Sequence, residues 1–555
     1  MTETIDAPPA RPEISPQKLR QVVIASAAGT VFEWYDFFIY GALATLVSRH
    51  FFANLPDAQA FVFTLFAFAA GFLVRPLGAL VFGKIGDSRG RKGAFLITIS
   101  MMGLATFAIG LLPDYAQIGP AAPILLIGLR VVQGFALGGE YGGAAIYVAE
   151  HAPEGQRGLQ TSWIQTSAAI GLVGALGVIW GLRTGLGEEA FSAWGWRLPF
   201  LFSLGLLAIS LWIRVRLEES PVFQAMKAEG RASKKAMAET FLAWPNLRLV
   251  LIALFGIMMA QGVVWYTGHF YAQFFLERVL KLAPLTVNLL MISVVTLSAA
   301  FYVLFGWLSD KIGRKPVMLG GMALMLVLYF PGFHALTRAA NPALAAAQAS
   351  APVRIAADPS DCSFLLDLTG GARQFASSCD IARTALADAG ISYRMVPSIS
   401  GQAALILVRD SQLYAPSAEN QPPSRVKAIR ADFAKQLAPV LQRAGYPLRA
   451  DPARVDFAQT LLILFGFILA ATALYGPIAA TLVELFPARI RYTALSVPYH
   501  IGTGVFGGML PLIVFAIVTA NGDIYSGLWF PAITTGLALL ITLAFMPETN
   551  GRPVD

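Results

Sequence analysis

The chain has 555 residues, of which 56% are hydrophobic and 13% are charged, and its mean hydropathy is +0.62. This composition is too apolar for a soluble multidomain enzyme and indicates a protein that lies in a lipid bilayer. The net charge of +8 does not indicate nucleic-acid binding, because most basic residues outside residues 337–456 lie in alternate short loops.

Apolar stretches that approach or reach the roughly 20 residues needed to cross a bilayer recur along the chain. Residues 1–19 are polar and Pro-rich and lack the apolar core and cleavage site of a signal peptide, so the first stretch is expected to stay in the protein as a helix. The twelve predicted spans, numbered in chain order, lie near residues 20–48, 58–83, 93–112, 121–149, 158–182, 198–216, 248–276, 285–308, 316–336, 457–483, 492–519 and 526–546.

Two loops repeat one glycine-punctuated, basic motif. Residues 83–92 are G-K-I-G-D-S-R-G-R-K and residues 306–315 are G-W-L-S-D-K-I-G-R-K, each between the second and third span of a set of six. Such duplication is typical of transporters built from repeats that rock around a central site. Lys and Arg concentrate in these loops and are absent from loops 113–120 and 520–525, so the repeated loops and both termini are predicted to be cytoplasmic.

A second duplicated motif, E-x-x-P-x-x-x-R, locates an insertion. It runs from Glu150 to Arg157 and from Glu484 to Arg491. The two copies of the first motif are 223 residues apart, from 83 to 306, whereas the copies of the second are 334 residues apart, from 150 to 484. About 111 extra residues therefore lie between spans nine and ten.

The inserted segment, residues 337–456, is polar and contains no spanning run. Its pattern predicts strands at 363–368 and 403–408 and helices at 377–388 and 425–442, which together indicate a small α/β domain. Counting nine spans from a cytoplasmic N-terminus places it in the periplasm.

Both cysteines of the chain, Cys362 and Cys379, fall in this segment, 17 positions apart. A pair confined to the one exported segment favours a disulfide in an oxidising compartment. Two unpaired small residues are the alternative.

The predicted fold is an all-α polytopic membrane protein with twelve transmembrane helices in two six-helix halves, plus a small α/β periplasmic insert between helices nine and ten. Its parts are a cytoplasmic tail (1–19), the N-terminal half (20–216), a cytoplasmic linker (217–247), the C-terminal half (248–336 and 457–546), the insert (337–456) and a cytoplasmic C-terminal tail (547–555).

The two G-x-x-x-D-x-x-G-R-K loops resemble the signature loop of the major facilitator superfamily. Further matches resemble its metabolite:proton symporter branch: Glu33-Trp34-Tyr35-Asp36-Phe37, Arg75-Pro76-Leu77-Gly78-Ala79, Arg130-Val131-Val132-Gln133-Gly134-Phe135, Gly138-Gly139-Glu140 and Glu219-Ser220-Pro221-Val222-Phe223. The resemblance covers everything except the insert. It implies a twelve-helix fold, alternating access and proton-driven uptake of small organic acids or zwitterionic osmolytes, such as dicarboxylates, shikimate-like acids, proline and betaines.

Glu33 and Asp36 are three residues apart and therefore share one face of span one. A buried charge costs about 2.5 to 3.5 kcal/mol on insertion scales, so a partner is expected, and Arg130 is the only Arg or Lys well inside span four. Asp36 is the predicted proton-coupling residue, with Glu33 and Arg130 beside it. A static Asp36–Arg130 pair, or a structural hydrogen bond from Glu33, is the alternative.

Arg130 is also a candidate to bind a substrate carboxylate bidentately. The other substrate-binding candidates are Gln165 in span five, Trp265, Tyr266 and His269 in span seven, and Tyr499 in span eleven, next to His500. Aromatic residues at such spacing are also typical of bundle packing, the histidines of structural hydrogen bonds, and Gln165 of a bond between helices.

Eight charged residues of the duplicated motifs are predicted to form a cytoplasmic gating network. The acids of the repeated loops are expected to accept hydrogen bonds at a nearby helix N-terminus, whose dipole favours negative charge. Positive charge that only sets topology is the alternative, but it does not explain the repeated Asp and Gly. The predicted gating residues are Asp87, Arg91, Asp310, Arg314, Glu150, Arg157, Glu484 and Arg491.

The sequence contains no nucleotide loop, metal-ligand cluster or nucleophilic triad, so neither an enzyme, a metal nor a cofactor is expected. We predict a monomeric symporter of the bacterial inner membrane that is driven by the proton gradient, with a small carboxylate or zwitterion, protons and lipid as its partners. A sugar-type porter is one alternative, although residues 261–266, Q-G-V-V-W-Y, depart from the sugar-porter pattern Gln-Gln-x-x-Gly-x-Asn. A transporter-like sensor that uses the insert is the other.

Overall fold

A computed structural model describes residues 15–53, 57–215, 219–230, 233, 235–363 and 376–554. Within these ranges, ten helices are long and apolar enough to cross a membrane. They are Pro16–Ala42, Arg91–Leu111, Ala121–His151, Arg157–Leu186, Gly195–Val215, Trp244–Val279, Pro284–Ile312, Arg314–Ala340, Phe457–Leu485 and Ser526–Phe545.

Two more helical runs coincide with the remaining predicted spans. Span two corresponds to the helix Asp57–Arg89, which contains Pro76. Span eleven corresponds to the helix Arg491–Ile501, a π-helical segment Gly502–Gly507 and the helix Leu510–Asn521. Shorter helices join the spans at Ala44–Phe51, Tyr115–Ile118, Glu188–Ala193, Pro221–Ala228 and Ala236–Phe241.

Each repeated loop contains a glycine that allows a tight turn between two helices. Gly90 and Gly313 have φ angles of +124° and +102°, which strongly favour glycine. A Cβ atom at either position would also lie within 2.6 Å of a carboxylate oxygen, of Glu219 and of Glu548 respectively. These two carboxylates accept hydrogen bonds from backbone N–H groups in the first turn of the following helix, at 3.2 Å and 2.9 Å. The duplication therefore extends to how the third span of each half is capped.

The segment after span nine contains a four-stranded sheet. Its strands are β1 (Val353–Ala356), β2 (Tyr393–Val396), β3 (Leu405–Val408) and β4 (Ser411–Tyr414), in the order β2-β1-β3-β4. β1 pairs parallel with β2 and antiparallel with β3, and β4 pairs antiparallel with β3. The helices Pro342–Ser350, Ser378–Asp388 and Pro423–Arg443 accompany the sheet.

The predicted elements of this segment agree with the structure in part. β3 coincides with the predicted strand at 403–408, and helices lie at both predicted helix positions. Residues 364–368 of the other predicted strand lie outside the described residues. Strands β1, β2 and β4 were not predicted, because each has polar or charged residues within a run of only four, whereas β3 is continuously apolar. Cys362 and Cys379 are joined by a disulfide, with Cα atoms 5.2 Å apart.

A buried ion pair links spans four and six. Arg214 Nη2 lies 2.8 Å from Glu140 Oε1, and both side chains are about 1% exposed. The other carboxylate oxygen accepts a hydrogen bond from Thr98 at 3.1 Å. The guanidinium lies against Gly29 of span one, where a Cβ atom would be only 1.5 Å from Nη2. Span one can therefore pack here only because position 29 has no side chain.

We predict that Gly29→Ala destabilises the protein by displacing the guanidinium from Glu140. Breaking a buried ion pair costs about 3 to 5 kcal/mol, so the thermal unfolding midpoint in detergent should fall clearly. Gly41→Ala is the matched control, because Gly41 lies in the same helix and nothing lies within 4 Å of its added Cβ. Equal midpoints for the two variants would contradict the prediction.

Candidate functional site

A narrow cavity lies between the N-terminal half (residues 15–215) and the C-terminal half (residues 244–554). Both halves contribute to its wall, through spans one, two and four and through spans seven, ten and eleven. Its lining residues are Glu33, Trp34, Phe37, Arg75, Leu137, Gln261, Trp265, Tyr266, Tyr475, Tyr499, His500 and Thr503.

Several polar groups of this lining have unused hydrogen-bonding capacity. Among them, Glu33 Oε2, Arg75 Nε and Gln261 Oε1 are buried and have no hydrogen-bond partner among the described residues. Arg75 instead packs over the Phe72 ring, with its Cζ atom 4.1 Å from the ring centre. A buried polar atom without a partner costs about 1 to 3 kcal/mol, and more if it is charged. The cavity is therefore suited to a ligand that supplies both donors and acceptors.

One wall of the cavity is aromatic. The Trp34 and Trp265 rings, one from each half, have centres 5.8 Å apart. Trp265 donates a hydrogen bond from Nε1 to the Tyr302 hydroxyl at 3.1 Å, and its other face stacks on His269 at 4.3 Å. His269 Nδ1 also lies 2.9 Å from the Trp265 carbonyl. His269 therefore supports Trp265 from behind and does not line the cavity.

A second contact between the halves is a stack of tyrosines. The Tyr141 and Tyr499 rings are nearly parallel, with centres 3.7 Å apart. The Tyr499 hydroxyl lies 2.5 Å from that of Tyr475, and Gln165 donates a hydrogen bond to the Tyr141 hydroxyl at 2.7 Å. Gln165 therefore does not line the cavity but contacts Tyr141, which in turn stacks on the lining residue Tyr499.

Asp36 and Arg130 are connected indirectly. Asp36 Oδ2 accepts a hydrogen bond from Thr106 at 2.8 Å, and Thr106 in turn accepts one from Gln133 Nε2 at 2.5 Å. Arg130 donates to Gln133 Oε1 at 2.7 Å and lies over the Tyr40 ring at 4.1 Å. A relay through two polar side chains thus links the two residues whose pairing the sequence predicts. Neither Asp36 nor Arg130 lines the cavity.

Of the predicted coupling and substrate residues, Glu33, Trp265, Tyr266 and Tyr499 come together in the cavity lining. Arg75, Gln261 and Tyr475 also line it but were not assigned a role from the sequence. Arg75 carried a recognisable signal, because it is a lone cation inside an apolar span.

The acids of the repeated loops bind the opposite half of the protein. Asp87 accepts hydrogen bonds from the backbone N–H groups of Tyr492 and Thr493, both at 2.9 Å. Asp310 accepts them from Gly158 and Leu159, at 2.9 Å and 2.7 Å. Both pairs of N–H groups belong to the first turn of a helix, where the dipole favours an anion. Each half therefore caps a helix of the other at the end of the bundle that carries the repeated loops, which we call the gate face.

Glu150 joins the halves through two arginines. Its Oε1 atom lies 2.8 Å from Arg491 Nη1 and also contacts Arg91 Nη1. Arg91 further donates a hydrogen bond to the Ala488 carbonyl at 3.1 Å. All three charged side chains are at most 2% exposed.

Glu484 has the equivalent position in the C-terminal half. It lies 3.1 Å from Arg314 and 3.7 Å from Arg157. The glutamate of each E-x-x-P-x-x-x-R motif is thus paired with the arginine of the other copy. All eight predicted gating residues meet in these two symmetric clusters, which close the gate face.

The helix arrangement is that of the major facilitator fold, and comparisons with known proteins agree. Residues 21–245 match the family model "Sugar (and other) transporter". In solved structures, the fold is similar to that of the proton:xylose symporter XylE of the major facilitator superfamily, with a TM-score of 0.62, 16% identity and coverage of 98% of both chains.

Several curated relatives are more similar in sequence. The shikimate transporter of Escherichia coli is 37% identical over 329 residues, covering 58% of this chain and 74% of its own length. The glycine betaine/proline/ectoine/pipecolic acid transporter OusA of Dickeya dadantii and the proline/betaine transporter of Salmonella typhimurium are each 36% identical over 323 residues, or 57% of this chain. The match spans 64% of the length of these last two relatives. The chain belongs to the major facilitator superfamily, in the metabolite:proton symporter family of these relatives, which are transporters and not enzymes.

We predict that Asp87→Asn combined with Asp310→Asn opens the gate face. The neutral amides accept weaker hydrogen bonds from the two helix ends, so the open state gains population. Ser496→Cys, a buried position beside Gly142 of the opposite half, is the reporter. Its reaction with a maleimide in detergent should become about tenfold faster.

Lys311→Gln is the control for this experiment, because Lys311 is an exposed residue of the same loop. It should leave the labelling rate unchanged. The gate assignment is wrong if the double variant labels at the same rate as the control.

Proposed function

We propose that the chain is a proton-coupled symporter that imports a small organic acid or zwitterionic osmolyte by alternating access. The observation that carries this proposal is the cavity between the halves, where Glu33, Arg75 and Gln261 each have a buried polar atom without a partner among the described residues. The names of the relatives, transporters of proline, betaines and shikimate, support the same substrate class. The proton gradient drives the cycle without a cofactor.

The proposed topology has twelve transmembrane helices in two six-helix halves. The two helical runs at spans two and eleven supplement the ten membrane-competent helices. Basic residues at the gate face support a cytoplasmic position for that face and for both termini. The α/β insert then lies in the periplasm, which agrees with its disulfide. The protein works as a monomer in the bacterial inner membrane.

The charges of the cavity fit a zwitterion. The planar guanidinium of Arg75 can bind a carboxylate through two parallel hydrogen bonds. Glu33 offers a carboxylate to an ammonium group, and Trp34 and Trp265 offer aromatic faces to a quaternary one. A substrate with both charges would satisfy the unpartnered atoms of Glu33 and Arg75 together. A sugar carries no charge that could pair with either group, which disfavours a sugar-type porter.

Asp36 and Glu33 are the proposed proton carriers. Asp36 Oδ1 is buried and has no hydrogen-bond partner among the described residues. It can therefore take up a proton without first breaking a hydrogen bond. The relay through Thr106 and Gln133 then connects its charge to Arg130 in span four. A proton that crosses the membrane potential supplies about 2.3 kcal/mol per 100 mV, enough for roughly fifty-fold accumulation of a neutral substrate.

A sensor is the second candidate function, and the contacts of the insert with spans seven and eleven favour it. A sensor would bind its ligand without moving it. Uptake by proteoliposomes with an imposed pH gradient separates the two functions, because only the symporter accumulates substrate.

We predict that Arg75→Lys weakens binding of proline, betaine or shikimate to the purified protein by about tenfold or more. Lysine keeps the charge but cannot bind a carboxylate through two parallel hydrogen bonds. Arg183→Lys, an exposed arginine in span five, should leave the affinity unchanged in the same calorimetric titration. Unchanged affinity in Arg75→Lys would exclude this carboxylate site.

We predict that Asp36→Asn abolishes proton-driven accumulation in proteoliposomes but retains counterflow. The amide keeps the hydrogen bond from Thr106 and cannot take up a proton, so only exchange without net proton movement remains. Normal uphill uptake by this variant would rule out Asp36 as the coupling residue.

A further inference from the structure

The insert is attached to the end of span eleven farthest from the gate face. Arg383 Nε and Nη2 donate hydrogen bonds to the Thr519 carbonyl at 3.2 Å and 3.1 Å, and Nη2 also donates to the Ala520 carbonyl at 2.9 Å. These carbonyls belong to the last turn of the helix Leu510–Asn521, where the dipole favours a cation. Arg383 is only 8% exposed. The contact is therefore a buried, charged cap on span eleven.

Strand β2 adds to the same attachment. The Tyr393 hydroxyl donates to the Thr519 carbonyl at 2.5 Å, and its backbone N–H donates to the Gly522 carbonyl at 2.6 Å. Gly522 has a φ angle of +78°, and a Cβ there would lie 2.4 Å from the Tyr393 carbonyl oxygen. The chain thus needs glycine at this point of contact.

The same part of the insert also binds the far end of span seven. Gly390 lies against the Val279 carbonyl, where a Cβ would be 2.2 Å from the oxygen. The Lys281 ammonium donates to the Asp388 carbonyl, and Asn341 donates to the Leu280 carbonyl at 2.9 Å. The helix Ser378–Asp388 and the residues after it therefore contact the ends of both spans.

Within the part of the chain that the structure describes, spans seven and eleven are also the spans with π-helical segments. These segments are Ala253–Met258, Thr267–Tyr271 and Phe275–Val279 in span seven and Gly502–Gly507 in span eleven. Such segments weaken the regular hydrogen-bond ladder and are frequent where helices bend at functional sites. Thr267–Tyr271 directly follows the cavity residues Trp265 and Tyr266, and Gly502–Gly507 contains the cavity residue Thr503. The outer parts of both spans can therefore bend relative to the cavity.

We propose that the insert is a brace that makes the outer ends of spans seven and eleven move as one unit. The helix Ser378–Asp388 is the rigid element of the brace, and the disulfide at Cys379 anchors its first turn. The brace adds to the direct packing of these spans beside the cavity, where Gly262 lies against Gly502 and Tyr266 against Gly507. Its role in transport rests on the proposed symporter function, whereas the mechanical coupling does not.

Hydrogen exchange on the full-length protein in detergent tests the brace. The hydrogen bonds from Arg383 to the spans end on carbonyls of span eleven, yet coupling predicts that Arg383→Ala accelerates exchange by about tenfold in both residues 515–524 and residues 276–282. Tyr393→Phe, which loses one hydroxyl contact, should accelerate the same two segments by a smaller factor. Slow exchange in residues 378–388 checks that the insert remains folded in both variants.

The control is Arg354→Ala, because Arg354 is an exposed arginine of strand β1. It should change neither segment by more than about twofold. Acceleration confined to residues 515–524, or absent from both segments, would overturn the proposal. This readout needs no substrate, so a failure of the brace is distinguishable from a failure of the proposed transport, which the uptake experiment measures.

Discussion

The reciprocal ion pairs and helix caps between the two halves at the gate face are the constraint on which the rest of the structure depends. Asp87 and Asp310 each cap a helix of the opposite half, and Glu150 and Glu484 each pair with an arginine of the opposite half. Because these groups are buried, separating one pair without the others would leave uncompensated charges in a dry interface. We therefore expect the contacts to form and break together, which would give the gate face two states rather than a continuous range.

Span eleven connects the three functional regions of the molecule. It begins at Tyr492 and Thr493, which Asp87 caps, passes the cavity at Tyr499 and Thr503, and ends at Thr519, where the insert is attached. A shift of this helix would change contacts at the gate face, at the cavity wall and at the insert. Its interruption at Gly502–Gly507 gives the helix a place to bend between gate and insert.

Sequence reasoning located these regions better than it resolved their contacts. The duplicated motifs predicted the gate residues and the position of the insert, because each copy has a fixed place in its half. They did not predict that Glu150 pairs with Arg491 across the halves, since a duplicated motif looks the same whether its contacts lie within or between repeats. Arg75 was missed because it was considered only as part of a family motif, and no chemical role was assigned to this lone cation in an apolar span. The relay between Asp36 and Arg130 depends on Thr106 and Gln133, which only the packing of three helices brings together.

The central claim, that the gate face opens as a unit during the cycle, is tested most directly by a distance measurement between the halves. Spin labels at Ser88→Cys and Lys311→Cys occupy exposed positions of the two repeated loops, and the native cysteines are bridged and do not react. Pulsed electron paramagnetic resonance should give one short distance between the two labels without ligand. A second, longer distance between them should appear when substrate is added at low pH. A single distance distribution that ignores both substrate and pH would contradict the account.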